Sequence, residues 1–372
     1  MSNKFCRQLS NGYKINVDWN ELTWAPCCYY SKRTNLLDQD AFKKAIEYTS
    51  NASNWLPECN ICRNMEKAGV DTLKPRLNSF RRIPEDVENG ACVDLEISFD
   101  INCNAACLSC SGGCSTAWRK YNTKHNLLDY GPKFDDPAER FLKEFIDTVP
   151  LDQLRNLFIL GGEPFYSDTQ LKFIKHVIQV HPAVNELTLQ YSTNGSLFPD
   201  EETISLWSKF KTVQISMSLD GIYDRFNYLR WPLTWDRVEQ TVSRFLNETD
   251  VILNINATVS PLNILYFQEI EDWVYQTIPR ERLRWPNFPV RVNSCYDPLP
   301  LDVVNEELRQ ACIEKYGLNH DISQILEKSF RNVRPRPIKE KKMFDYIGQH
   351  DSLRHLNWRE TFPELVQYYP NV

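Results

Sequence analysis

From about residue 92 onward, short apolar runs alternate with amphipathic helical patterns, and this alternation constrains the fold more than any other feature of the chain. "CVDLEISFD" predicts a strand. "DPAERFLKEFIDTVP" predicts a helix, with Asp135 or Asp136 near its start, Pro137 in its first turn and Pro150 just past its end. "RNLFILGGEP" predicts a buried strand running into a glycine turn. The alternation continues through helix "DTQLKFIKHVIQVH", strand "NELTLQYSTNG", helix "DEETISLWSKF", strand "TVQISMSLDG" and helix "TWDRVEQTVSRFLNE". Strand "VILNINATVS", helix "ILYFQEIEDWVYQT" and a last strand in "PVRVNS" complete it. Strands joined through helices pair in parallel, with the helices outside the sheet. Six such strands predict an α/β fold, a partial (β/α)6 or full TIM-like barrel, whose site lies at the carboxyl ends of the strands.

The chemistry-bearing residues fall at those ends. They are Gly161-Gly162-Glu163-Pro164, Ser192-Thr193-Asn194-Gly195, Ser218-Leu219-Asp220-Gly221 and a loop after the first strand, "FDINCNAACLSCSGGC". That loop, Phe99 to Cys114, holds four cysteines in sixteen residues. Cys103, Cys107 and Cys110 are spaced C-x3-C-x2-C, so three thiolates can bind one face of a metal centre. Structural zinc takes four closed ligands, and a [4Fe-4S] cluster usually takes four cysteines. Three leave one corner open, which is useful only if something else coordinates there. Cys114 as a fourth ligand would instead close a structural site.

Bulk properties set the class. A chain of 372 residues suits one large domain and a smaller one. A net charge of −6 argues against a protein that coats nucleic acid, and leaves a local basic patch open. The N-terminus has no apolar h-region and no apolar run is long enough to cross a membrane, so a cytoplasmic protein without a membrane partner is expected. In that reducing compartment, twelve cysteines read as metal ligands or core residues, not a disulfide framework. The first 88 residues differ from the rest. "GYKINVDWNELTWAPCCYY" predicts a hairpin turning near Asn20, "DQDAFKKAIEYTS" a helix, and "PECNICRNMEKAG" adds Cys59-x2-Cys62. Residues 1–88 are expected to form a small metal-stapled domain, 89–298 the barrel and 299–372 a C-terminal extension.

The strand-end motifs, in this order, resemble the radical SAM enzyme family. The resemblance implies that Cys103, Cys107 and Cys110 bind a [4Fe-4S] cluster whose open iron is chelated by S-adenosylmethionine (AdoMet). It further implies that Gly161, Gly162 and Glu163 receive the AdoMet amino group. Asn194, Ser218 and Asp220 would hold the ribose, and Arg230 in "FNYLRW" the carboxylate, matching a bidentate guanidinium to that group. The sequence departs from the family at Ser109, where an aromatic residue often precedes the third cysteine; that weakens an adenine contact but removes no ligand. The implied activity is reductive AdoMet cleavage to a 5′-deoxyadenosyl radical that abstracts hydrogen from a substrate, in an enzyme of oxidoreductase or maturase type. An electron donor such as flavodoxin or ferredoxin is implied as partner.

The N-terminal order of cysteine, hairpin, cysteine, helix and C-x2-C is similar to the twitch or SPASM-like auxiliary-cluster domains of that family. In most relatives this domain follows the barrel, whereas here it precedes it, and Asn20 replaces a usual hairpin glycine. The implied ligands of a second [4Fe-4S] cluster are Cys6, Cys27, Cys59 and Cys62, with Cys28 as the alternative to Cys27 and structural zinc as the alternative metal. Cys92, Cys114, Cys295 and Cys312 read as core or incidental residues. The six histidines, His181 and His350 among them, read as surface or capping residues. Two classes remain open: the radical enzyme, acting on a peptide or protein side chain or on a modified nucleotide, sugar or small metabolite, and a non-catalytic Fe–S or zinc protein on a degenerate barrel.

Overall fold

In a computed structural model of the protein, the described residues are 6–18, 21–67, 82–128, 138–295, 297–318, 320–330 and 337–372. In chain order the N-terminal elements are α1 (Arg7–Asn11), β1 (Gly12–Asp18), β2 (Glu21–Ala25), β3 (Thr34–Asn35), α2 (Gln39–Ser50) and α3 (Asn60–Lys67). There follow β4 (Asp94–Ile97), α4 (Thr116–Lys124), α5 (Ala138–Thr148), β5 (Asn156–Ile159), α6 (Thr169–Val180), β6 (Thr188–Thr193) and α7 (Glu201–Trp207). Next come β7 (Thr212–Ser218), α8 (Tyr223–Leu229), α9 (Trp235–Glu248), β8 (Ile252–Val259), α10 (Phe267–Thr277) and β9 (Val290–Ser294). The principal C-terminal helices are α11 (Glu306–Tyr316), α12 (Asp321–Phe330) and α13 (Pro337–Arg354). The six strands expected from the alternation are β4 to β9. The fold is α/β with parallel strands, compatible with a partial TIM-like barrel. The expected helix start at Asp135, Asp136 and Pro137 lies outside the described residues. No helix among the described residues is long and apolar enough to cross a membrane.

The chain divides into two compact units built from non-contiguous segments. The first comprises Met1–Asn102, Gly131–Ser192 and Pro199–Gln214. Its strands run in the order β3-β2-β1-β4-β5-β6. The N-terminal hairpin forms as expected, with Lys14 opposite Ala25 and Asp18 opposite Glu21; its turn, with Asn20, lies outside the described residues. β1 also pairs in parallel with β4, from Gly12 opposite Asp94 to Ile15 opposite Ile97. The hairpin therefore joins the sheet of the strands that follow it. Alternating side chains explain the fit: Tyr13 and Ile15 of β1 are buried, as are Leu22 and Trp24 of β2. Tyr13, Trp24 and Phe42 of α2 meet edge-on at ring distances of 5.6 to 6.2 Å. Phe99, Phe145 and Phe173 form a second such trio at 5.2 to 5.9 Å. Each edge-on pair adds about 0.5–1.5 kcal/mol beyond the area it buries.

The second unit comprises Cys103–Tyr130, Thr193–Phe198 and Ile215–Val372. β8 and β9 pair in parallel from Ile255 opposite Val290 to Val259 opposite Ser294. Trp235, Val238, Val242 and Phe245 recur at helical spacing along α9 and are buried. Trp235 sits edge-on to Phe226 and Trp273 at 5.5 and 4.9 Å. α13 buries Met343, Phe344, Ile347, His350 and Arg354. A histidine and an arginine on a core face need specific partners, and they find them at the cysteine loop.

Candidate functional site

The cysteine loop belongs to the second unit, and the residues just after it hold it. Ser115 caps α4: its Oγ accepts from Trp118 N at 3.3 Å and donates to Ala105 O at 2.6 Å. Thr116 Oγ1 accepts from Cys103 N at 3.1 Å and donates to Cys103 O at 3.2 Å. The Trp118 indole donates to Cys107 O at 2.9 Å, and that carbonyl also accepts from Cys110 N at 2.9 Å. On the other side, Ala106 N donates to Trp231 O and Leu108 N to Leu229 O, both at 2.7 Å. The carbonyls of the same two residues accept from α13: Arg354 Nη2 reaches Ala106 O at 3.1 Å and Tyr346 Oη reaches Leu108 O at 3.0 Å. Backbone groups that lack a ladder partner are thus satisfied on both sides of Cys107.

The Ala106/Leu108 to Leu229/Trp231 pairing sets Cys107 beside Arg230. Arg230 is buried; its Nη2 pairs with Asp220 Oδ2 at 2.8 Å, its Nη1 lies 4.0 Å from Cys107 Sγ, and among the described residues its Nε has no hydrogen-bond partner. Asp220 is held in turn: its Oδ1 accepts from Thr258 N at 2.7 Å and its backbone carbonyl from Asn263 Nδ2 at 2.7 Å. Burial pushes the Cys107 thiol up, and the Arg230 guanidinium works against that rise. A desolvated cation beside a thiol favours the thiolate, the form that ligates metal. Cys110 Sγ donates to Ser111 O at 3.8 Å, and its interaction with the exposed Cys114 raises the Cys110 thiol and lowers that of Cys114.

Asn194, at the end of β6, is tied directly to the loop. Its Nδ2 donates to Asn104 Oδ1 at 2.8 Å, its Oδ1 accepts from Ser196 Oγ at 2.7 Å, and Asn104 Nδ2 donates to Ser196 Oγ at 2.9 Å. Asn104 lies between the first two cysteines and was not singled out in the sequence; nothing in a C-x3-C spacing marks which intervening residue turns inward. Ser218 is half-buried at the end of β7. Two residues earlier, Ser216 Oγ accepts from Asn254 Nδ2 at 2.8 Å and from Asn256 Nδ2 at 2.5 Å.

In the first unit, Gly161 and Gly162 pack against the chain leaving β4. Gly162 N donates to Asp100 O at 3.3 Å and Glu163 N to Asn102 O at 2.7 Å. A Cβ on Gly162 would stand 2.2 Å from Asn102 O. Gly161 has φ of +143°, and its Cβ would stand 2.9 Å from Asp100 O. Glu163 is buried, and its Oε1 accepts from Phe165 N at 3.3 Å. Glycines 161 and 162, Glu163, Phe99, Asp100 and Gln170 line a small cleft in this unit.

The same unit gathers the N-terminal cysteines. Cys6 precedes α1, Cys27 follows β2, Cys59 ends a short 3-10 turn and Cys62 lies on α3. Cys6, Cys27 and Cys59 pack into one cluster with Leu9, Ala25 and Tyr30. Burial raises the Cys62 thiol to about 12 and the Cys59 thiol to about 11; Cys59 and Cys6 add to the rise at Cys62, and Cys6 to that at Cys59. Cys28 is exposed; partial desolvation and Glu96 raise its thiol and Lys14 lowers it, and Cys28 adds in turn to the rise at Cys62. No group of three or more His, Cys, Asp or Glu among the described residues stands in the geometry of a bound metal ion. Thiolates are the donors that iron–sulfur clusters take, and at Cys107 a buried cation lies alongside.

Several expectations need correction. His181 and His350 are buried, not on the surface. His181 Nδ1 does cap, accepting from Ala183 N at 3.0 Å, while His350 Nδ1 meets Tyr121 Oη at 3.0 Å. Of the cysteines read as core or incidental, Cys92, Cys295 and Cys312 are buried and Cys114 is exposed.

Residues 97–274 match the Radical SAM superfamily. The chain is also similar to the solved structure of native anSMEcpe with bound AdoMet, at 18% identity and a TM-score of 0.41 over 60% of this chain and 60% of that one. Streptococcus suis SuiB bound to S-adenosylmethionine is 16% identical, with a TM-score of 0.37 over 77% of this chain and 63% of that one. The same protein bound to precursor peptide SuiA is 15% identical, with a TM-score of 0.38 over 94% and 73%. The chain thus spans about 60% of the length of the anSMEcpe chain. No curated protein matches it. Residues 97–274 of this chain are thus similar to the radical SAM superfamily.

Proposed function

We propose that this chain is a radical SAM enzyme and that Cys103, Cys107 and Cys110 carry its AdoMet-cleaving [4Fe-4S] cluster. The observation that carries the reading is the buried Arg230 guanidinium, bonded to Asp220 at 2.8 Å with its Nη1 4.0 Å from Cys107 Sγ, within residues that match the Radical SAM superfamily. A structural metal loop has no use for a buried cation with an unpartnered Nε, whereas a carboxylate-bearing ligand beside the thiols does. Cys103, Cys107 and Cys110 would hold the cluster, which when reduced would supply one electron for cleavage of AdoMet to methionine and a 5′-deoxyadenosyl radical that abstracts hydrogen from the substrate.

The chain's own residues then bind and orient. Arg230 takes the AdoMet carboxylate, with Asp220 fixing the plane of the guanidinium. Asn194, Ser218 and Asp220 offer acceptors to the ribose, and Asn104 holds Asn194 in place. Glu163 and the carbonyls beside Gly161 and Gly162 accept from the AdoMet amino group. Cys6, Cys27, Cys59 and Cys62 hold a second [4Fe-4S] cluster in a twitch- or SPASM-like segment spanning residues 1–88, with the core at 89–298 and an extension at 299–372. The packing of Cys27 in one cluster with Cys6 and Cys59, against the exposure of Cys28, supports Cys27 over Cys28. The proposed substrate is a peptide or protein side chain, with a modified nucleotide, sugar or small metabolite as the alternative, and the proposed electron donor a flavodoxin or ferredoxin.

Binding of AdoMet tests the site. In anaerobically reconstituted protein, Glu163→Ala and Arg230→Ala should each keep their iron while weakening AdoMet binding about tenfold to a hundredfold, as expected for loss of a charged hydrogen-bond partner. Equilibrium dialysis with both affinities unchanged would refute the assignment.

A further inference from the structure

The C-terminal helix α13 reaches into the cysteine loop, and nothing in the reading above assigns it a role. Arg354, its last residue, is buried. Its guanidinium lies 4.9 Å from the ring centroids of Trp118 and Tyr121 and 5.0 Å from that of Trp231. One nitrogen, Nη2, donates to Ala106 O at 3.1 Å; among the described residues Nε and Nη1 have no hydrogen-bond partner. One turn and more earlier, Tyr346 donates to Leu108 O at 3.0 Å, and His350 packs against Trp118 and Tyr121 at ring distances of 5.1 and 5.5 Å.

These contacts converge on one residue. Ala106 and Leu108 flank Cys107, their amides fixed by Trp231 and Leu229 and their carbonyls by Arg354 and Tyr346. Burying a guanidinium with two nitrogens unpaired is costly, and a hydrocarbon side chain would fill an aromatic cage more cheaply. What a hydrocarbon does not supply is a permanent positive charge, since arginine stays protonated in any such setting. Cations close to an iron–sulfur centre favour its reduced form, because reduction adds negative charge that they stabilise at low dielectric.

We propose that Arg354 is a positioning residue for the AdoMet-cleaving cluster: through Ala106 it fixes the loop at Cys107, and its buried charge raises the cluster's reduction potential. Tyr346 assists at Leu108 without contributing charge. This rests on the reading of Cys103, Cys107 and Cys110 as the ligands of that cluster.

The test uses the full chain, reconstituted anaerobically, with iron counted and the reduced-cluster EPR signal that responds to added AdoMet followed in a redox titration. Arg354→Met should retain the iron and shift the midpoint potential of that signal to more negative values. Arg354→Lys keeps the charge and loses the planar fork, so its potential should stay near that of the wild type while its line shape changes. Tyr346→Phe should alter the line shape alone. An Arg354→Met protein with full iron and the wild-type potential would overturn the proposal, as would an equal shift in Arg354→Lys. If Arg354→Met does not fold, wild-type signals in both Arg354→Lys and Tyr346→Phe overturn it, and altered line shapes at an unmoved potential support it. Absence of any AdoMet-responsive signal in the wild type would instead refute the underlying cluster assignment.

Discussion

Gly162 has no room for a side chain. Its would-be Cβ meets backbone atoms of Ile101 and Asn102 at 2.2 to 2.6 Å, so the neighbour cannot yield by a rotamer change. Gly162→Ala should therefore destabilise the protein by about 1–3 kcal/mol or more, the usual cost of overpacking, and lower Tm measurably in a thermal melt. An unchanged Tm would mean that the chain beyond β4 does not lie where the hydrogen bonds from Gly162 and Glu163 put it. His350 offers a test by pH. Burial and Arg354 push its imidazole down to about 3. A group whose folded pKa is depressed prefers its neutral form when folded, so its contribution is complete above the unfolded value and is lost as pH falls toward the folded one. Stability should decline below about pH 6.5, the reference histidine value, at roughly 1.4 kcal/mol per pH unit from this group. His350→Gln should flatten that decline in denaturant titrations at pH 7 and pH 5; equal slopes in both proteins would count against a buried neutral His350. The two positions also differ in legibility. A Gly-Gly pair at a strand end signals close backbone approach on its own, whereas His350 meets Tyr121 across 229 residues, and no local pattern records that.

At the scale of elements, the strands and helices after residue 92 were legible because each carries its own periodicity. The hairpin was legible too, from alternating apolar residues about a polar turn. Its pairing with β4 was not, since parallel partners are chosen by tertiary fit and not by neighbouring sequence. The helix α13 was equally opaque in role, because one of its faces carries Tyr346 and Arg354 to the cysteine loop and His350 to α4, contacts that no local pattern records. The N-terminal cysteines were legible as a set, and they belong to elements of one unit. If they hold a second cluster, a soluble Cys59→Ala/Cys62→Ala double variant should keep about half of the iron expected for two four-iron clusters and still cleave AdoMet while making no product. The same variant failing to cleave AdoMet, with half its iron present, would mean that the N-terminal cluster helps build the AdoMet site. Full iron with zinc absent would remove these two residues from the ligand set.

At the scale of the whole molecule, residues 97–274 match the radical SAM superfamily, and the proposal is that this α/β chain cleaves AdoMet at a cluster held by Cys103, Cys107 and Cys110. The order of motifs along the chain made that legible, because each falls where one strand ends. What supports the loop was not, because Ser115, Thr116, Leu229, Trp231 and α13 act through backbone groups that any residue type presents. Metal content alone cannot separate an enzyme from an iron–sulfur binding protein, but turnover of AdoMet does. The direct measurement is 5′-deoxyadenosine released on anaerobic incubation of the reconstituted chain with dithionite and AdoMet. The account predicts release by the wild type and none by Cys103→Ala, Cys107→Ala or Cys110→Ala. A fully loaded wild-type protein that releases none, or a Cys107→Ala protein that releases as much as the wild type, would contradict it.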